Sequence, residues 1–135
     1  WRFKEKKAVL GSGALGGGLY FVGADDKSFY ALDQKTGELR WEAAAGGEFT
    51  GGATVDEREG VVYVGSGLGG RGTLHAFHFN GTKRFDFAAK GNVASTPALD
   101  ASGSGVYFGD DSGRLYKVDR ASGRELWRRK FRDNI

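Results

Sequence analysis

The sequence contains no cysteine and no methionine, and its 135 residues include one proline and two histidines. Without cysteine there are no disulfides, thiolate metal centres or cysteine nucleophiles, although the compartment stays open. A complete translation product starts with methionine, so a processed, trimmed or partial chain is expected. No apolar run approaches the roughly 20 residues that span a bilayer. His75 and His78 lie three apart, which in a strand sends them to opposite faces and separates them as metal ligands. Charge of one sign is also scarce. The net +3 gathers at the ends, in Arg2, Lys4, Lys6 and Lys7 and in Arg128, Arg129, Lys130 and Arg132. Solvated strand ends explain it. A strand offers only alternate residues of such a run to one groove, which argues against nucleic acid.

What is abundant is glycine, with 24 residues, alongside 13% aromatics. That combination suits short strands joined by tight turns. Three apolar runs each end in glycine, at Gly23, Gly65 and Gly109, in steps of 42 and 44. The turn glycines Gly37, Gly81 and Gly123 step by 44 and 42, as do the aromatics Trp41, Phe85 and Trp127. A period near 43 lies in the range of propeller blades. Each unit divides into four strand-sized pieces. The first covers residues 9–15, 49–55 and 93–99, and the second is the apolar run before the glycine. The third covers residues 29–33, 74–78 and 115–119, and the fourth residues 38–42, 82–87 and 124–129.

The third and fourth pieces carry the clearest motif. Asp33, Thr36, Gly37 and Trp41 keep the same offsets as Asp119, Ser122, Gly123 and Trp127. The aspartates can accept backbone N–H groups two or three residues ahead. Glycine follows where φ is positive. The tryptophan then has a rigid strand from which to fill a gap between sheets. Unit 2 departs from the pattern: its turn glycine, Gly81, comes one residue earlier, and Phe85 replaces tryptophan. Packing between units is expected to be weakest or altered there. A glycine-rich loop is expected over residues 65–72, and Gly67, Leu68, Gly69, Gly70, Arg71, Gly72 and Thr73 form the candidate partner surface.

Val93, Ser95, Pro97, Ala98 and Leu99, the run Val106 to Tyr116, and Asp119, Ser122, Gly123 and Trp127 together resemble the pyrroloquinoline-quinone-type β-propeller repeat. The resemblance covers the whole chain. It implies an all-β fold of three four-stranded antiparallel blades, like those of quinoprotein alcohol dehydrogenases, in an incomplete ring. Residues 1–7, with Trp1, would end a preceding blade, and the blades would occupy residues 8–45, 46–89 and 90–135. Open stacks leave apolar end faces, which further blades or protein partners would cover.

Many relatives are quinone-dependent dehydrogenases that hold their cofactor against a vicinal cysteine disulfide, with calcium on an acidic set. Others are non-enzymatic, such as an outer-membrane assembly lipoprotein, and the resemblance brings in an extracytoplasmic site such as the periplasm. No catalytic, cofactor or metal residue carries over onto this sequence. The glycine patterns Gly11 to Gly16 and Gly65 to Gly70 lack the following helix that a dinucleotide site needs. The pairs Asp25-Asp26 and Asp110-Asp111 read as turn residues, since a calcium site needs about six oxygens. Asn80-Gly81-Thr82 reads as a hairpin turn. The expected function is a non-catalytic scaffold or protein-interaction module within a larger chain or assembly. The alternative is a fragment of a quinone-dependent dehydrogenase whose catalytic residues lie elsewhere.

Overall fold

The computed structural model describes residues 1–2, 13–24 and 26–131. The expected strand start at residue 9, the glycine pattern beginning at Gly11, Asp25, and the cations Lys4, Lys6, Lys7 and Arg132 fall outside them. Among the described residues, twelve strands form three separate four-stranded antiparallel sheets, each a simple meander. Blade 1 holds β1 (Ala14–Gly16), β2 (Leu19–Gly23), β3 (Ser28–Asp33) and β4 (Leu39–Ala44). Blade 2 holds β5 (Ala53–Asp56), β6 (Val61–Leu68), β7 (Arg71–His78) and β8 (Lys83–Ala89). Blade 3 holds β9 (Ala98–Leu99), β10 (Gly105–Gly109), β11 (Arg114–Asp119) and β12 (Glu125–Lys130). No helix occurs among the described residues.

The second and third strands of blade 2 are apolar on both faces because a neighbouring blade lies on each side. Phe21, Phe29 and Ala31 of blade 1 share one buried cluster with Val62, Val64 and Phe77 of blade 2. Tyr63, Leu74 and Ala76 share another with Val106, Phe108, Tyr116 and Val118 of blade 3.

The innermost strands are shorter than the sequence suggests. Phe49 and Val93, expected to begin strands, instead point into the stack from the connections ahead of β5 and β9. A Cβ on Gly23 would fall 2.3 Å from Phe49, and one on Gly65 would fall 2.2 Å from Val93. Gly23 and Gly65, at the same place in the second strands of blades 1 and 2, therefore make room for a side chain from the next blade.

Residues 65–72 also differ from expectation. They are not a loop: β6 and β7 stay paired from Val61↔His78 to Leu68↔Arg71, closing on Gly69 and Gly70 at φ +61° and +83°. Glycine is needed inside these strands because the connection ahead of β9 runs close by. Cβ atoms on Gly67 and Gly72 would fall 2.5 Å from Asn92 and 2.2 Å from the Gly91 carbonyl.

Candidate functional site

Each blade has a register shift at the same place, between Ala31/Leu32, Ala76/Phe77 and Lys117/Val118. The extra residue on the outer strand is Arg40, Arg84 or Leu126, each just before the motif aromatic. A bulge re-aims the side chain that follows it. Trp41 is thereby directed at blade 2, where its Nε1–H donates to the Phe79 carbonyl at 2.8 Å. Its indole lies on Gly81, where a Cβ would be 3.0 Å away, and its ring centroid is 5.5 Å from that of Phe77. Trp1 makes the same contacts with blade 1: its Nε1–H donates to the Gln34 carbonyl at 2.8 Å, and its ring leaves no room for a Cβ on Gly37.

The turns that receive these rings are held as the motif suggests. Asp33 Oδ1 accepts N–H bonds from Lys35 and Thr36, and Thr36 Oγ1 accepts one from Glu38. Asp119 and Ser122 repeat this, with Ser122 Oγ accepting from the Arg124 N–H. These backbone N–H bonds hold the Asp33 carboxyl below the usual range, and the Ser122 hydroxyl and N–H do the same for Asp119. In the shorter blade 2 turn the Gly81 N–H bonds to His78 O, three residues back, whereas Gly37 and Gly123 reach four back, to Asp33 and Asp119.

Phe85 lies on Gly123 as Trp41 lies on Gly81, but a phenyl ring has no N–H for the turn carbonyl. The missing donor comes from another strand: Tyr63 Oη donates to the Arg120 carbonyl at 3.2 Å. Arg120 is the first turn residue after β11, as Gln34 and Phe79 are after β3 and β7. Burial pushes the Tyr63 hydroxyl up to about 12, so it stays protonated and able to donate. Tyr63→Phe is expected to cost about 1–3 kcal/mol, because the carbonyl loses its donor. Adding Phe85→Trp should restore most of that loss in urea unfolding. A double variant no more stable than Tyr63→Phe alone would mean that the indole does not reach the carbonyl.

A buried ion pair also ties blade 2 to blade 3. Arg120 donates to Asp56 Oδ2 at 3.0 Å, to the Asp100 carbonyl at 2.7 Å and to the Gly105 carbonyl at 3.2 Å. The far face of blade 3 differs from the apolar end expected of an open stack. Where Ala31 and Ala76 lie beneath Trp41 and Phe85, blade 3 has Lys117 beneath Trp127. The Lys117 ammonium lies 5.4 Å from the Tyr107 ring centroid. Trp127 packs against Tyr107 and remains 38% exposed. At the other end Val22, Tyr30 and Leu32 are buried.

Ser66, His75 and Asp86 line up across β6, β7 and β8. His75 Nδ1 is 2.8 Å from Asp86 Oδ1, and Nε2 is 2.7 Å from Ser66 Oγ. A carboxylate only accepts, so Nδ1 carries a proton and donates to Asp86, and in the neutral ring Nε2 accepts from the Ser66 hydroxyl. The order resembles a hydrolase triad, but Ser66 is 2% exposed, as is His75. Its geometry cross-links three strands, and His75 packs against Phe49 at 5.8 Å. The His75 hydrogen bond, joined by Lys83, lowers the Asp86 carboxyl to about 2. A depressed carboxyl stabilises the fold above its unfolded value, near 3.9, and loses that contribution as pH falls through 2. Asp86→Asn is therefore expected to lower stability at neutral pH and to flatten the loss between about pH 4 and pH 2 in urea titrations.

The acidic turns are occupied by the protein's own donors. Asp26 accepts the Ser28 N–H and the Tyr30 hydroxyl. Asp110 accepts from Gly91 N–H, Ser112, Arg114 N–H and the Tyr116 hydroxyl. Burial raises the Asp110 carboxyl, but these bonds outweigh it and the net shift is downward. Counted from Gly23 and Gly109, the pairs 25–26 and 110–111 are offset by one residue and not equivalent. This sequence holds no cysteine pair of the kind the resemblance implies for dehydrogenase propellers. No group of three or more His, Asp or Glu suited to a metal gathers among the described residues.

Of the candidate partner residues, Leu68, Gly69, Gly70 and Arg71 are exposed at the β6–β7 tip, and Gly72 is buried. Thr73 and Gly67 line a cavity of about 230 Å³ with Leu68, Arg71 and the connection Ala45 to Gly47. The Glu48 and Gly67 main chains exchange two hydrogen bonds, of 2.9 and 3.0 Å, that fix this connection to the hairpin.

A protein-family model described as outer membrane protein assembly factor BamB matches residues 1–134. The chain belongs to this family. It is 32% identical over 130 residues to the outer membrane protein assembly factor BamB of Shewanella oneidensis, covering 87% of this chain and 30% of that protein. The crystal structure of BamB from Moraxella catarrhalis superposes with a TM-score of 0.76 at 22% identity, covering 95% of this chain and 38% of that one. A quinohemoprotein alcohol dehydrogenase from Pseudomonas putida HK5 superposes with a TM-score of 0.78 at 18% identity, covering 87% and 26%. At such identities these two structures share the fold. The family is one of quinoprotein-like propeller repeats, and the chain spans less than two fifths of its BamB relatives.

Proposed function

We propose that these three blades are a rigid display segment of a larger outer-membrane assembly factor, and that the β6–β7 tip is a contact point for a protein partner. One observation carries the contact: the hairpin strands of blade 2 have eight residues each, against five and six in blades 1 and 3. The extra length projects Leu68, 47% exposed, beside the exposed Arg71. Arginine is enriched at protein contacts, and Leu68 adds exposed apolar area beside it. The ties at Trp1, Trp41, Phe85, Tyr63 and Arg120 hold the blades in one stack, which fixes the tip for recognition. Gly37, Gly81 and Gly123 serve this stacking, as do Asp33, Thr36, Asp119 and Ser122, and Trp127 is the corresponding group for whatever covers blade 3.

The test is a Leu68→Asp/Arg71→Glu variant of the full-length protein in its source organism. Folded outer-membrane proteins are expected to fall toward the level of a deletion strain while the variant itself accumulates and melts normally. Undiminished outer-membrane proteins would remove the tip from the function.

A further inference from the structure

The outer strands of the three blades differ in charge. β4 balances Arg40 with Glu42, and in β8 Lys83 is paired with Asp86 while Arg84 donates to the Ala121 carbonyl. Along residues 124–131, Glu125 is the single acid among Arg124, Arg128, Arg129 and Lys130, with Asp119 near Arg124 and Asp110 near Arg128. Glu125 is held by Arg128 at 2.7 Å, and Arg128 also lies over the Tyr116 ring. Arg129 and Lys130 have no ion-pair partner among the described residues. Every residue from Leu126 to Phe131 is exposed.

β12 ends the sheet order, so one edge pairs with β11 and the other has no neighbouring strand among the described residues. The pairing runs to Arg114↔Lys130 and continues to the Phe131 N–H on the Gly113 carbonyl at 2.7 Å, so past the bulge the inner edge of the strand stays paired to its end. Cations on an edge repel an identical edge and so block pairing of copies. They leave the main-chain donors and acceptors open to a strand of opposite charge.

We propose that the outer edge of β12 receives an extended acidic segment of a partner protein as a fifth strand of blade 3. The proposal rests on the display reading above, and its surface is separate from the β6–β7 tip. Past the bulge at Leu126, Trp127, Arg129 and Phe131 lie on one face and Arg128 and Lys130 on the other. An antiparallel guest therefore needs acids opposite residues 128, 129 and 130, and apolar residues opposite Trp127 and Phe131. Main-chain bonds would supply affinity and these pairs the selectivity.

The probe is a fluorescein-labelled peptide of about eight residues, Thr-Val-Glu-Glu-Glu-Val-Val-Thr, a typical strand length, titrated against the full-length protein by anisotropy. Saturable binding is expected, weakened about tenfold by Arg129→Glu/Lys130→Glu, which reverses two cross-strand pairs. N-methylation of alternate peptide amides keeps the charge and should abolish binding. β12 amides should gain hydrogen-exchange protection when the probe is added. No binding, or binding indifferent to N-methylation, would overturn strand addition. So would loss of the probe to competing phosphatidylglycerol vesicles that bind the same protein surface, which would make the edge a membrane contact. Unchanged melting of the double variant separates lost binding from lost folding. If the probe fails while the β6–β7 tip variant still lowers outer-membrane proteins, the strand proposal falls and the display reading stands.

Discussion

Replacing Trp41 with alanine is expected to destabilise the chain by about 3–5 kcal/mol, the range for removing a large aromatic side chain from a packed site. Two losses combine. The indole fills the space between Phe21, Phe29 and Phe77, with ring centroids 6.0, 6.1 and 5.5 Å away. Its N–H is the donor to the Phe79 carbonyl. Trp41→Phe separates the two: it keeps most of the apolar filling and leaves the carbonyl bare, so about 1–3 kcal/mol is expected. The control is Trp127→Ala. Trp127 occupies the equivalent place in blade 3 but is 38% exposed, with Tyr107 and Lys117 against one side. Its removal from the 135-residue chain should cost no more than about 1 kcal/mol. Equal losses at the two positions would show that burial against the next blade is not what makes Trp41 matter.

Arg120→Ala is expected to be as damaging, at about 3–5 kcal/mol. Arg120 and Asp56 are 8% and 7% exposed, and the guanidinium reaches Asp56 and the carbonyls of Asp100 and Gly105. Removing it leaves a buried carboxylate and two carbonyls short of donors. Arg120→Lys should rescue little, because one ammonium cannot span acceptors arranged for a planar fork. Asp56→Asn in the Arg120→Ala background should recover part of the loss by removing the stranded charge. Urea midpoints of these three variants test this, and a double variant less stable than Arg120→Ala alone would reject charge stranding as the cause.

The fold was legible because its glycine and aromatic markers are spacing devices. Gly23 and Gly65 recur because a neighbouring blade's side chain occupies the space a Cβ would need. The turn motif recurs because each turn offers a carbonyl and a glycine to an aromatic ring. What the sequence hides is equally physical. Phe49 and Val93 look like strand residues because they are apolar, but they plug the stack from connections. Gly65, Gly67 and Gly72 look like a loop because glycine weakens strands. They lie in strands because Val93, Asn92 and Gly91 approach too closely for any side chain. Gly69-Gly70 is a two-residue hairpin signal. Read that way, it would have placed Ser66 opposite Thr73, diagonal to His75 on the same face, and pointed to their link with Asp86. The Tyr63 bond to Arg120, 57 residues apart, had no local signal beyond the phenylalanine at position 85 that it compensates.

The chain has three indoles, which makes its central arrangement directly measurable. Hydrogen exchange of the three indole N–H groups, followed by NMR on the 135-residue chain, should find Trp41 strongly protected by its bond to the Phe79 carbonyl. Trp127, exposed on the far face of blade 3, should exchange near the solvent rate. Comparable exchange at Trp41 and Trp127 would contradict docking of each aromatic onto the next blade's turn.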